Sequence, residues 1–208
     1  MGTAAEPGRP AGRVRRGRRL PRAFFAADPL TVAPRLLNKV LEVGDRSVRI
    51  VEVEAYRGTD DPASHAYRGP TPRTEVMFGP PGHLYVYFSY GMHWCANVVC
   101  GPDGVAGAVL LRAGAPRTGV DAQRAARPAA RRDVDLASGP ARLTQALGID
   151  GSLGGIDLCR PDAAVTVRDD GVAPPPEPVA GPRVGISVAT ELPWRFSVPG
   201  DPNRSRPR

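Results

Sequence analysis

The stretch RIVEVEAY, residues 49–56, constrains this chain most, because its β-branched alternation requires a strand that carries two carboxylates. A strand's side-chain period of two puts Glu52, Glu54 and Tyr56 on one face. A carboxylate in an apolar strand needs a partner, since an unpaired buried charge is strongly disfavoured. Arg112, emerging from the apolar run at residues 109–111, is the candidate. Sequence alone does not separate Glu52 from Glu54, and a purely structural ion pair between Glu54 and Arg112 fits these residues as well as a catalytic one does.

Residues 84–90 and 93–100 are two further strand-like runs joined at Tyr90, Gly91 and Met92, the pattern of a hairpin with glycine at its tip. In a regular strand Tyr85, Tyr87 and Ser89 share one face, and Val86, Phe88 and Tyr90 the other. Cross-strand packing accounts for any one of these rings. An aromatic at a glycine turn is different, because it has little core to reach. His93, Cys95 and Cys100 are close in sequence, but the strand turns Cys100 away from the other two, so no metal site is expected. A glycine-rich phosphate loop and the zinc-deaminase pattern are both absent from the sequence.

A length of 208 residues suits one domain with tails. The formal charge of +7 and isoelectric point near 10.0 favour a polyanionic partner. Lys39 is the only lysine, so the positive charge is almost all arginine, and compositional bias explains it equally well. Three cysteines, an odd number, fit a reducing compartment better than a disulfide scaffold. No apolar run approaches membrane-spanning length. Residues 1–19 lack a hydrophobic signal segment and read as a disordered basic tail, residues 20–200 as the folded domain, and residues 201–208 as a flexible tail.

Asp28 and Pro29 mark a helix start, while Pro34 predicts a kink or a late start, and Asn38 suits the left-handed helix end. Past Arg112, the run containing Arg117, Arg124, Arg127, Arg131 and Arg132 reads as a solvated helix and loop. Ser138, Gly139 and Pro140 open a short helix that presents Leu143 and Leu147 on one face and stops at Gly148. Residues 156–167 read as strands broken at Arg160 and Pro161, and residues 184–188 and 194–198 as closing strands.

Taken in order, VEVEAY, the following His65, TPR, MFGPPGHLYVYFSYGMHWCAN, LLRA, SGPARLTQALGI and RVGIS resemble the alkyladenine (3-methyladenine) DNA glycosylases. The resemblance runs from about residue 20 to residue 200. It implies an α+β fold: a single domain with a mostly antiparallel curved sheet, flanking helices and a protruding hairpin, similar to the C-terminal domain of methionyl-tRNA formyltransferase. It implies a monomeric, cytoplasmic and nucleoid-associated hydrolase that needs no cofactor or metal. Its partner would be double-stranded DNA containing damaged purines of the 3-methyladenine, 7-methylguanine, hypoxanthine and ethenoadenine class.

The same resemblance assigns roles residue by residue. Glu54 matches the general base, Arg112 the group that holds the attacking water with it, and Val184 the main-chain carbonyl that is the water's third contact. Tyr56, His65 and Tyr87 match the base sandwich, and Asn97 the residue that excludes normal guanine. Tyr90 matches the side chain that fills the hole left by a flipped base, with Met92 beside it as a wedge, and Arg73 a DNA contact. Two readings from other classes stand beside this one: a noncatalytic minor-groove binder, and an RNA-binding module of similar fold.

Overall fold

The computed structural model describes residues 17–205. In chain order the elements are β1 (Arg18–Arg19), α1 (Arg22–Phe25), α2 (Pro29–Leu36), β2 (Val40–Val43), β3 (Arg46–Tyr56), β4 (Leu84–Ser89), β5 (His93–Val99) and β6 (Ala108–Thr118). They continue with α3 (Val120–Ala126), α4 (Pro140–Leu147), β7 (Val165–Asp169), β8 (Val179–Gly181) and β9 (Arg195–Ser197). The strands form one antiparallel sheet in the order β1-β7-β2-β3-β6-β5-β4, and β9 pairs with both β3 and β8. The sheet curls into a half-barrel with few helices, which is the expected α+β class.

Two offset bulges in the central β3–β6 ladder decide which side chains face where. Ile50 pairs with Gly114 and Glu52 with Ala113, so Val51 is extra on β3; Glu52 then pairs with Ala113 and Val53 with Leu111, so Arg112 is extra on β6. The first bulge reverses the parity of β3. Val48 and Ile50 lie in the core before it, and Val53 and Ala55 after it. Glu52, Glu54 and Tyr56 are thereby turned to the opposite face, where an unbulged strand would have driven the two glutamates into the hydrocarbon core.

That core is built from the inner faces of β3 and β6 with α2 and α4 laid against the sheet, and it buries Phe25, Leu36, Leu41, Ile50, Leu111, Leu143 and Leu147. The α2 helix starts as its sequence suggests, with Asp28 Oδ1 accepting from the Leu30 amide at 2.8 Å and Pro29 in the first turn. The expected late start does not occur. The helix runs unbroken through Pro34 and ends two residues later, so the missing proline donor affects only its last turn. Asn38 takes φ 65° at the helix exit.

Several other expectations are corrected. β6 continues six residues past Arg112, because Arg117 is held by Asp170 instead of being solvated. Residues 184–188 are not a strand: Gly185 adopts φ 81°, which breaks extended backbone, and the closing strands are β8 and β9. Of residues 156–167, only the last three belong to a strand, β7. Ser138 does not cap α4; its hydroxyl donates to the Asp135 carbonyl and accepts from Arg142. The basic tail assigned to residues 1–19 lies outside the described residues up to residue 16, but Arg18 and Arg19 pair with β7, which has a free edge to fill. The flexible end assigned to residues 201–208 is likewise ordered through residue 205, with Asn203 buried and Ser205 bound to Glu52; residues 206–208 lie outside the described residues. No helix among the described residues is long and apolar enough to cross a membrane.

Past the end of β7, Asp170 ties β3 to β6 from the side. It accepts from Arg49 Nη2 at 2.7 Å and from Arg117 Nη1 at 2.8 Å, and these guanidiniums, Arg49 foremost, hold its carboxyl down to about 2. A depressed carboxylate stabilises the fold above its unfolded value near 3.8, and that contribution is lost as pH falls through about 2. Asp170→Asn should therefore cost about 2 kcal/mol at pH 7. In urea titrations across pH, the gap between variant and parent should close between pH 3.8 and about 2.

Candidate active site

The face of the sheet opposite the core borders a cleft of about 1340 Å³. Its floor comes from β3 and β6, one wall from the β4–β5 hairpin, and its rim from residues 62–65, 127–142 and 184–188. Cross-strand register explains the lining: Asn97 stands opposite both Tyr85 and Leu110, and Cys95 opposite Tyr87. All five of these side chains reach the cleft.

At the floor a single guanidinium serves both carboxylates. Arg112 donates from Nε to Glu52 Oε1 at 3.1 Å and sets Nη1 3.2 Å from Glu54 Oε1. Both glutamates are wholly buried. They are nonetheless held differently. Glu52 is the more heavily engaged, accepting also from Arg195 Nη1 at 3.1 Å and from the Ser205 amide and hydroxyl at 2.6 and 2.8 Å. Glu54 accepts from the Tyr56 hydroxyl at 2.9 Å and the Val184 amide at 2.8 Å. Burial pushes the Glu54 carboxyl above its ordinary value, against the pull of Arg112, the Val184 amide and the Tyr56 hydroxyl. Burial alone would depress the Arg112 guanidinium, but Glu54 and Glu52 hold it above its usual range.

Aromatic groups line the space above. The His65 ring meets Tyr87 edge to face at 4.5 Å, and its Nδ1 lies 3.0 Å from the Tyr85 hydroxyl. Burial, reinforced by Arg73, lowers the His65 pKa and keeps the imidazole neutral at pH 7. Tyr56 and Tyr87 are phenols whose burial raises them far out of the titrating range. The Arg73 guanidinium lies 5.3 Å over the Tyr87 ring. The buried Asn97 amide donates to the Tyr85 carbonyl at 3.1 Å, which fixes its orientation.

Tyr90 and Met92 stand apart at the hairpin tip, 77 and 74 % exposed. Tyr90 adopts φ 51° and Gly91 φ 65°, a pairing of left-handed residues that hairpin turns favour and that a tyrosine seldom takes. The Tyr90 hydroxyl reaches across the cleft mouth to the Gly185 carbonyl at 3.4 Å. Met92 does not line the cleft. No three His, Cys, Asp or Glu side chains among the described residues are grouped to hold a metal ion.

The structure thus brings Arg112, Val184, Tyr56, His65, Tyr87, Asn97 and Arg73 to one cleft, while Glu54 is not among the lining residues but bonds to Arg112, Val184 and Tyr56, which are. The Val184 amide hydrogen bonds Glu54, a contact that the sequence reading did not name. Ser205 and Arg195 were not legible as site residues, since neither stands in a motif and both reach Glu52 only through tertiary contact. Ser205→Ala deletes a hydroxyl that bridges Glu52 and Arg112 and should cost about 1–3 kcal/mol. Ser152→Ala, which removes a fully exposed hydrogen bond, should cost far less, and denaturation midpoints of the two variants make the comparison.

Comparison with known proteins places the fold and cleft in context. Residues 23–202 match the family model described as methylpurine-DNA glycosylase. A Burkholderia lata protein named "Putative 3-methyladenine DNA glycosylase" is 60% identical over 183 residues, covering 88% of this chain and 88% of its own. Proteins of the same name from Frankia casuarinae and Streptomyces avermitilis are 52% identical over 195 residues and 51% over 192, covering 89% of this chain in each case and 91% and 90% of their own.

Proposed function

We propose that this chain, which belongs to the methylpurine-DNA glycosylase family, excises alkylated or deaminated purines from duplex DNA by hydrolysing the N-glycosidic bond. The observation that carries the reading is Glu54: a wholly buried carboxylate bonded to Arg112, Tyr56 and the Val184 amide, three groups whose residues line an aromatic cleft. A base inside a duplex is out of reach, so such an enzyme turns the nucleotide out into a pocket and stacks it between flat walls. His65 and Tyr87 touch each other and together make one wall; Tyr56 makes the other. A cationic purine gains from such electron-rich faces, and a neutral His65 adds no repelling charge. Tyr90, held in a left-handed turn at the exposed tip, enters the vacated stack, with Met92 as a wedge and Arg73 on the backbone.

Bond breaking passes through an oxocarbenium-like state. Glu54 takes a proton from water and its charge stabilises the sugar cation, while Arg112 keeps it ionised despite burial. Glu52, with four donors on it from Arg112, Arg195 and Ser205 against three on Glu54, is the structural carboxylate of the pair. The product is an abasic site with the strand intact, since a lyase needs an amine nucleophile. Lys39 is the only lysine, it is salt-bridged to Asp169 at 2.9 Å, and it lies outside the cleft. The Val184 carbonyl as the water's third contact, a monomeric state and work at the nucleoid complete the reading.

Glu54→Gln should bind a lesion duplex like the parent, while single-turnover release of hypoxanthine falls at least about 10²- to 10⁴-fold. Glu52→Gln should keep much of the activity, and the opposite ranking would move the base off Glu54. Because the ionised carboxylate is the active form and its pKa is raised, the parent's rate should fall with acid above pH 4.5, and Arg112→Gln should move that fall to still higher pH.

Asn97→Ser removes an oriented amide that blocks the guanine amine, so release of normal guanine should rise relative to hypoxanthine. Measuring both bases from matched duplexes decides it, and an unchanged ratio would make Asn97 structural.

A further inference from the structure

Arg183 neither lines the cleft nor meets solvent; its side chain is wholly buried, as is that of its partner Asp61. The two form a fork: Nη2 donates to Asp61 Oδ1 at 2.9 Å, and Nη1 to Oδ2 and to the Ala55 carbonyl at 3.0 Å. The guanidinium packs against two aromatic rings, with its carbon 4.6 Å from the Tyr56 centroid and 4.9 Å from that of Trp194. Arg183 Nε is buried with no acceptor among the described residues. A desolvated ion pair with an unmet donor is an inefficient way to stabilise a fold, since apolar residues of similar volume commonly do as well. The arrangement calls for another role.

Tyr56 borders the cleft, whereas the cation against its ring lies outside the cleft lining. We infer that Arg183 is a specificity-determining residue: seated behind Tyr56, it weakens the attraction of that ring for cationic bases and so brings neutral damaged purines into competition with them. The inference rests on the reading of Tyr56 as a base wall given above. The attraction of a ring for a cation comes from its electron-rich face, and a guanidinium already on one side draws on that density and repels a second positive charge stacked on the other. A neutral base stacked there loses neither. Asp61 offsets part of the charge, so the field at the cleft is set by the pair. Tyr56 cannot swing away to escape it, because its hydroxyl is bound to Glu54.

The test is single-turnover release of 7-methylguanine, which is cationic, and hypoxanthine, which is neutral, from otherwise identical duplexes. Asp61→Asn leaves the guanidinium uncompensated and should lower the 7-methylguanine to hypoxanthine ratio by about 2- to 10-fold. The double variant Asp61→Asn with Arg183→Gln keeps a hydrogen-bonded pair without charge and should raise the ratio above the parent's by a similar factor. Should Asp61→Asn fail to fold, the double variant against the parent decides. Should both fail, the apolar pair Arg183→Met with Asp61→Leu, which removes both charges, must still raise the ratio. A parent that releases neither base would sink the proposed function itself. With both bases released, equal losses of both, or a ratio steady within about twofold across the folded variants, would make Arg183 structural and overturn this inference alone.

Discussion

The guanidinium of Arg112 is what the rest of the site depends on, because two buried carboxylates two residues apart on one strand would otherwise repel each other in a medium that screens poorly. One cation reaches both only because β6 bulges at Arg112 opposite a bulge at Val51. Without the first bulge Glu52 and Glu54 would sit among Ile50 and Leu111; without the second, the arginine would be in register with one carboxylate alone. The sharing of one guanidinium by two carboxylates is therefore a property of sheet irregularity.

Chemical difference between identical side chains then follows from their other partners. Glu52 accepts four hydrogen bonds from Arg112, Arg195 and Ser205, three of them on Oε1. Glu54 has one cation, one amide and one phenol, and its carboxyl is pushed upward by burial. A carboxylate whose proton affinity is raised by burial is the better suited to accept a proton. Ser205 contributes to this division, since its hydroxyl lies between Glu52 and Arg112.

The cleft couples segments far apart in sequence through few contacts. Arg183 touches Asp61 in one rim loop, Ala55 in β3 and the ring of Tyr56, and its neighbour Val184 binds Glu54. A shift of the segment at residues 184–188 would therefore reach the Tyr56 ring and the Glu54 carboxylate together. The Tyr90 hydroxyl on the Gly185 carbonyl links that segment to the hairpin tip as well.

Much was legible in the sequence because it depends on local rules. Alternation identified β3 and the paired β4 and β5, the Tyr90-Gly91 turn announced an exposed aromatic, and the motifs gathered the residues that line the cleft. Other features could not be read locally. Arg117 looked solvated until Asp170 closed on it, residues 184–188 looked like a strand until Gly185 turned, and Ser205 looked like a tail until Glu52 claimed it. The α2 helix tolerated Pro34 because it ended two residues later. Sequence by itself determined which residues could carry the chemistry, since side-chain type and strand period are local. Tertiary structure alone decided which glutamate has more donors and which has its carboxyl pushed up by burial, because that depends on Arg112 in β6, Arg195 in β9 and Ser205, brought together by a sheet irregularity that alternation does not encode.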